Sequence, residues 1–173
     1  MNMVIVGLGN PGKRYATTRH NVGFILVDAL AKKLGARWQF NDKLTAYLAR
    51  STEKDILLVK PHTFVNASGS AVSAVLRYYK MPCDQLVVVH DDVDLPPFEL
   101  KDSVDSSSAG HHGVEDIIEK LGSQAFRRIR VGIGRPVEKS FDVENYVLAS
   151  FAGSDLDTLR KTGLEHLLSS LGI

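Results

Sequence analysis

Leu86-Val87-Val88-Val89 is a run of four apolar residues with no polar residue between them. A strand with one face in water alternates apolar and polar side chains, whereas a strand covered on both faces does not. This run therefore reads as a central strand with helices above and below it. Residues 3–6 read as a second short buried strand, and residues 46–50 and 56–59 as two more. Helical patterns lie between them. Residues 22–34 place Val22, Ile25, Leu26, Ala29, Leu30 and Leu34 on one face, and Gly35 is a fitting stop. A second helix, capped by Ser68 or Asn66, runs to Tyr79 with Val72, Val75 and Leu76 inward. A third covers residues 113–121, and a last one, capped by Ser154 or Asp155, reaches Leu171. Residues 128–133 alternate as a strand. Leu95-Pro96-Pro97 breaks the chain, and the polar segment from about 98 to 110 is expected to be a mobile loop. Strands alternating with helices indicate an α/β domain with a mainly parallel sheet.

A chain of 173 residues is one domain of ordinary size. Its 44% apolar and 24% charged residues match a soluble globular protein. No apolar run is long enough to span a membrane, and the N-terminus shows no secretory signal pattern. The single cysteine, Cys83, has no disulfide or C-x-x-C partner, which fits a cytoplasmic protein. Net charge is only +1, so a nucleic-acid partner would need a local basic patch.

Gly7-Leu8-Gly9-Asn10-Pro11-Gly12 comes directly after the first strand and matches the G-x-G-x-x-G dinucleotide fingerprint. That fingerprint needs a helix to begin at the glycines and an acid about 20 residues on, at the end of a second strand. Here no helical period begins before Val22, and Asp28 lies inside a helix. No nucleotide cofactor is expected.

In α/β sheets, ligands collect at the carboxyl ends of the strands. Asn10, His20-Asn21, Asn66 and His90-Asp91-Asp92 fall at or just beyond such ends, with the Gly110-His111-His112-Gly113 turn opening a helix nearby. A neutral histidine takes a proton from water when its other ring nitrogen donates to a carboxylate. His20 with Asp91 or Asp92 would serve, while the asparagines donate to a carbonyl oxygen gaining charge. No serine or cysteine stands in a nucleophile-elbow setting, so activated water is the more natural nucleophile. Plainer readings exist for each residue. A histidine before a helix is often a cap or surface residue, and asparagines are common turn residues. Asp91-Asp92-Val93-Asp94 could be a solvated turn or a Mg²⁺ site. Trp38 and Tyr78-Tyr79 read as packing residues.

These residues carry a family resemblance. Val6 to Gly12, then Tyr15, then Thr18-Arg19-His20-Asn21-Val22-Gly23, are similar to the opening of the bacterial-type peptidyl-tRNA hydrolases. Lys60-Pro61-His62-Thr63-Phe64-Val65-Asn66, His90-Asp91-Asp92-Val93-Asp94-Leu95-Pro96-Pro97 and Phe126-Arg127-Arg128-Ile129-Arg130-Val131-Gly132 agree with it in order. The resemblance implies a single three-layer α/β/α domain over residues 1–173, around a mixed, mainly parallel twisted sheet. It implies a cytoplasmic, monomeric ester hydrolase, free of metal and cofactor, that frees tRNA from peptidyl-tRNA. His20 is then the general base and Asp91 its orienting acid. Asn10, Tyr15, Asn66 and His112 meet the substrate, and Lys13, Arg14, Arg19, Lys101 and Arg130 are candidates for tRNA phosphate.

The sequence departs from the family at the substrate-holding positions. The usual Gly-His-Asn-Gly turn reads Gly110-His111-His112-Gly113, and His112 replaces a carboxamide with a bulkier ring. Ser103 stands where lysine is typical, between Asp102 and Asp105; Phe98 replaces a glycine and Val65 a methionine. The alternatives are a noncatalytic RNA-binding relative and an esterase for a smaller acyl ester.

Overall fold

The computed structural model describes all residues except 139 and 141. Seven strands form one sheet: β1 (Met3–Gly7), β2 (Gln39–Asn41), β3 (Ala46–Ser51), β4 (Ile56–Pro61), β5 (Leu86–Asp92), β6 (Leu100–Val104) and β7 (Arg127–Gly132). Their order across the sheet is β2-β3-β4-β1-β5-β7-β6. The inner four, β4, β1, β5 and β7, are parallel, while β2, β3 and β6 run antiparallel at the margins. The sheet is thus mixed and mainly parallel.

The apolar runs do what continuous runs must: they supply both faces. On one face Ile5, Leu58, Val87, Val89, Ile129 and Val131 pack with α1 (Val22–Lys33) and with Leu159, Leu167 and Leu171 of the C-terminal helices. On the other, Val4, Val6, Leu57, Val59, Leu86 and Val88 pack with α2 (Ser68–Tyr79) and α3 (His112–Leu121). Alternate residues of one strand serve opposite cores, so a helical layer lies on each side. β5 is buried along all seven of its residues.

Several expectations need correction. The segment expected as a loop from 98 to 110 contains β6, paired antiparallel with β7 and tied to it by an Arg127–Asp102 ion pair at 2.7 Å. Its exposed polar side chains hide the strand period, because an edge strand has little face to bury. Neither Ser68 nor Asn66 caps α2. Ala67 holds the cap position, and the Asp116 carboxylate of α3 accepts the Gly69 N–H at 2.7 Å. The last helix is not capped by Ser154 or Asp155. It begins after Ala152 as α5 (Gly153–Thr158), widens through Leu159–Gly163 and ends as α6 (Leu164–Leu171). α4 (Val143–Val147), for which the sequence shows no clear period, precedes it. His90, Asp91 and Asp92 are the last residues of β5 and not a turn after it.

The glycines after β1 permit a close backbone approach. A Cβ on Gly7 would lie 2.5 Å from Gly23 O, and a Cβ on Gly23 only 2.3 Å from Val89 O. β1, α1 and β5 therefore meet backbone to backbone where the chain turns into Asn10. Gly12, at φ 110°, then opens the short turn Lys13–Tyr15, not a phosphate-binding helix.

Candidate active site

β5 delivers Asp91 to the carboxyl end of the sheet as a buried carboxylate, 3% exposed. Such a group is tolerable only if its lone pairs are filled. Oδ2 lies 2.8 Å from His20 Nδ1, and Oδ1 lies 2.8 Å from His111 Nε2. The tautomer of His111 is set by its second contact. The Val114 N–H donates to His111 Nδ1 at 3.3 Å, capping α3, so the ring proton sits on Nε2 and points at Asp91. His20 likewise donates Nδ1–H to the carboxylate, leaving Nε2 as a base on the cavity side. A third histidine, His90, donates Nδ1–H to the Asp91 carbonyl at 2.7 Å and stands edge-on to His111, ring centroids 4.7 Å apart.

Electrostatics separate these rings. For His20, burial disfavours the charged form, but the charge and hydrogen bond of Asp91 outweigh it and raise the pKa above 6.5. For Asp91, burial pushes the carboxyl up, and the His111 and His20 rings overcome this, holding it far below the usual carboxylate range. His90 has only burial and like-charged neighbours to set against its link to Asp91, and its pKa falls to about 3. Asp91 thus favours the protonated form of His20, whereas burial keeps His90 neutral.

The two asparagines come from different elements. Asn10 is held by three bonds. Its N–H donates to Asn21 Oδ1 (2.9 Å), its carbonyl accepts from Asn21 Nδ2 (2.9 Å), and its Oδ1 accepts the Val65 N–H (2.8 Å). The last bond fixes the amide orientation and leaves Nδ2 as a donor at the cavity. Asn66 sits exposed in the turn Val65–Ala67 before α2. These groups line a cavity of 510 Å³ together with Phe64, His111, His112, Val143, Val147 and Leu148.

Asn10, His20, Asn66, Asp91 and His112 therefore converge. His112 is 81% exposed and lies 3.4 Å from Glu115. Tyr15, read as meeting the substrate, does not line this cavity and stands edge-on to Phe64, which does, with ring centroids 6.3 Å apart. The basic candidates divide. Lys13, Arg14 and Lys101 are exposed and form no ion pair among the described residues. Arg19 instead packs over the Tyr146 ring at 4.3 Å and bonds its carbonyl, holding α4. Arg130 is bound to Asp92 at 2.6 Å, so Asp92 is not the partner of His20. Sequence reasoning missed the parts of His111, His90 and Phe64. The Gly-His turn marks position 111, but only the fold brings it to Asp91.

His20, Asp91 and His111 present ligand atoms within 4.8 Å of one another. Both Asp91 oxygens are already occupied by ring N–H groups, so a cation there would have to displace two hydrogen bonds. The Asp92 and Asp94 carboxylates are likewise engaged, by Arg130 and Arg135.

Comparison with known proteins places the chain in a family. Peptidyl-tRNA hydrolase of Aquifex aeolicus is 49% identical over 150 residues, covering 86% of this chain and 78% of the relative. That of Sulfurihydrogenibium is 39% identical over 161 residues, 93% of this chain and 85% of the relative. A crystal structure of peptidyl-tRNA hydrolase from Acinetobacter baumannii superposes with a TM-score of 0.87 at 34% identity, over 96% of this chain and 85% of that one. The sequence model of the peptidyl-tRNA hydrolase family matches residues 4–171, and the chain belongs to that family.

Proposed function

We propose that this chain hydrolyses the ester between a peptide and the 3′ ribose of tRNA, using water activated by His20. The observation that carries the reading is the His20–Asp91 pair at the wall of the cavity. His20 Nε2 takes a proton from water as the oxygen attacks the ester carbonyl. Asp91 holds Nδ1–H and stabilises the imidazolium, and Asn10 Nδ2 with Asn66 donates to the oxyanion. Collapse expels the ribose oxygen, which takes the proton back from His20, so the ring ends neutral. The peptide lies along Phe64, Val143 and Val147, and His112 meets the substrate backbone. Lys13, Arg14 and Lys101 meet RNA phosphate, with the protein acting as a cytoplasmic monomer.

Hydrolysis of an N-acetyl-aminoacyl-tRNA by the wild type and by His20→Ala tests this. Cleavage that nearly vanishes in the variant is expected. Wild type that binds tRNA without cleaving it would make the chain an RNA-binding relative. The pairing of Arg127, Arg130 and Arg135 with carboxylates leaves fewer free cations among the described residues, which lends a small-ester substrate some weight. Salt decides here. kcat/KM on tRNA should fall steeply as salt rises, losing about one unit of slope for each phosphate contact removed, whereas a neutral ester is indifferent.

A further inference from the structure

Arg128 is 1% exposed and forms no ion pair among the described residues. Burying a guanidinium with no carboxylate in contact is costly; the charge of Asp105 offsets part of this, and Nε has no hydrogen-bond partner among the described residues, so the two Nη groups carry the hold. Its donors go chiefly to one segment. Nη1 donates to the Ser106 carbonyl, to Ser106 Oγ at 2.5 Å and to the Ser107 carbonyl at 3.4 Å. Nη2 donates to the Gln124 carbonyl at 3.2 Å, and the guanidinium lies over the Phe126 ring at 4.4 Å. A lysine could not span these carbonyls, because its single ammonium lacks the planar fork.

Beyond Ser107 the chain becomes the cavity wall, and residues 108–112 all line it. The His111 N–H donates to the Ser108 carbonyl at 3.0 Å, and the Gly110 N–H to Ser108 Oγ at 3.3 Å. His111 then bonds Asp91, which bonds His20. A chain of contacts thus runs from a buried cation to the base. The segment is also strained on its approach to the cavity: Asp105 and Ala109 hold positive φ without being glycine, a cost that outside contacts must offset.

We propose that Arg128 is a positioning residue of the hydrolytic site: by gripping Ser106 and Ser107 it sets the turn that holds His111 against Asp91. This rests on the reading that His20 and Asp91 cleave the ester, which the His20→Ala comparison tests separately.

The experiment compares Arg128→Lys, His111→Ala and the double variant on N-acetyl-aminoacyl-tRNA. Arg128→Lys should lower kcat by on the order of tenfold to a hundredfold with KM little changed, the scale of a small misplacement of reacting groups. Because both changes strike one linkage, the double variant should lose less than the product of the two single losses. A kcat within about twofold of wild type, or losses that multiply, would overturn the proposal. Should Arg128→Lys fail to fold, wild-type hydrogen exchange decides: the amides of Gly110 and His111 should be strongly protected, and exchange at open-loop rates would refute the grip. That readout does not depend on activity, so it stands even if wild type fails to cleave.

Discussion

Asn21 clamps the backbone of Asn10 at both ends, accepting its N–H and donating to its carbonyl, each at 2.9 Å. Eleven residues separate the two, and the contact is buried. The opening glycines bring the chain close to α1, and the clamp then sets the turn so that Val65 can fix the Asn10 amide. Asn21→Ala would leave a donor and an acceptor of Asn10 unsatisfied, at about 1–3 kcal/mol each. We expect a loss of about 2–6 kcal/mol in denaturant unfolding. At least a roughly tenfold drop in kcat/KM should accompany it, since Asn10 no longer presents its Nδ2 to the ester. Full activity in a destabilised variant would mean that the clamp serves the fold alone.

Much of this arrangement was legible before folding, for particular reasons. β1 and the Leu86–Val89 part of β5 declare themselves because a doubly buried run has no polar residue to confuse the pattern, whereas the polar end of β5, His90 to Asp92, did not read as strand. His20 and a carboxylate from the end of β5 were legible because strand ends collect function, but the choice of Asp91 over Asp92 came only from the family resemblance until the fold gave Asp92 to Arg130. β2, β6 and α4 were not, being short, half exposed and polar. The second partner of Asp91 was equally hidden. His111 looks like a turn residue until α3 forms beneath it and turns its Nδ1 to the Val114 N–H. The clamp of Asn21 and the cap that Asp116 gives α2 depend on side chains meeting across the fold, which no local pattern encodes.

The acid limb of kcat/KM should lie above pH 6.5. A general base must be neutral to act, and the Asp91 charge favours the protonated ring, so activity is lost on acidification sooner than for an ordinary histidine. In Asp91→Asn the raising influence disappears and burial remains. The limb should then move below pH 6.5, while the plateau falls by about 10⁴, as expected when a base loses its orienting acid. A pH–rate profile of both proteins checks this, and an unmoved limb would rule out His20 as the titrating base.

His90 should make the protein less stable in acid. Below pH 6.5 the unfolded chain takes up a proton on this ring that the native chain refuses until about pH 3, so stability falls as pH drops. The slope from this group is at most about 1.4 kcal/mol per pH unit. His20 works in the opposite sense, its stabilisation being complete below pH 6.5 and lost as pH rises through its raised value. Asp91 stays ionised across this window, with its contribution intact. Denaturant unfolding of His90→Phe between about pH 6.5 and 4 should therefore show a shallower dependence than wild type. Equal slopes would place the acid sensitivity elsewhere.

Gly23→Ala should destabilise although alanine is the better helix former by about 1 kcal/mol. The new Cβ would meet Val89 O at 2.3 Å and Leu8 N at 2.5 Å, backbone atoms that cannot swing aside. Overpacking of this kind costs about 1–3 kcal/mol, and the rigid neighbours put the site at the upper end. Gly153→Ala, also helical but with nothing within 4 Å, is the control and should be neutral or slightly stabilising. Thermal unfolding of the pair isolates the close approach; equal melting temperatures would contradict it.

His112→Asn should raise activity. The side chain is 81% exposed and its contact with Glu115 is only a loose 3.4 Å, so replacing it should change stability by no more than about 0.5 kcal/mol. Any change in rate then reports the substrate contact. A carboxamide offers two N–H donors and an acceptor oxygen on one planar group, whereas a neutral imidazole offers one donor and one acceptor on opposite sides of a bulkier ring at the mouth of the cavity. We expect kcat/KM on N-acetyl-aminoacyl-tRNA to rise several-fold, chiefly through a lower KM. An unchanged or lower rate would show that position 112 is no compromised contact in this chain, and that its histidine serves the substrate as well as an asparagine would.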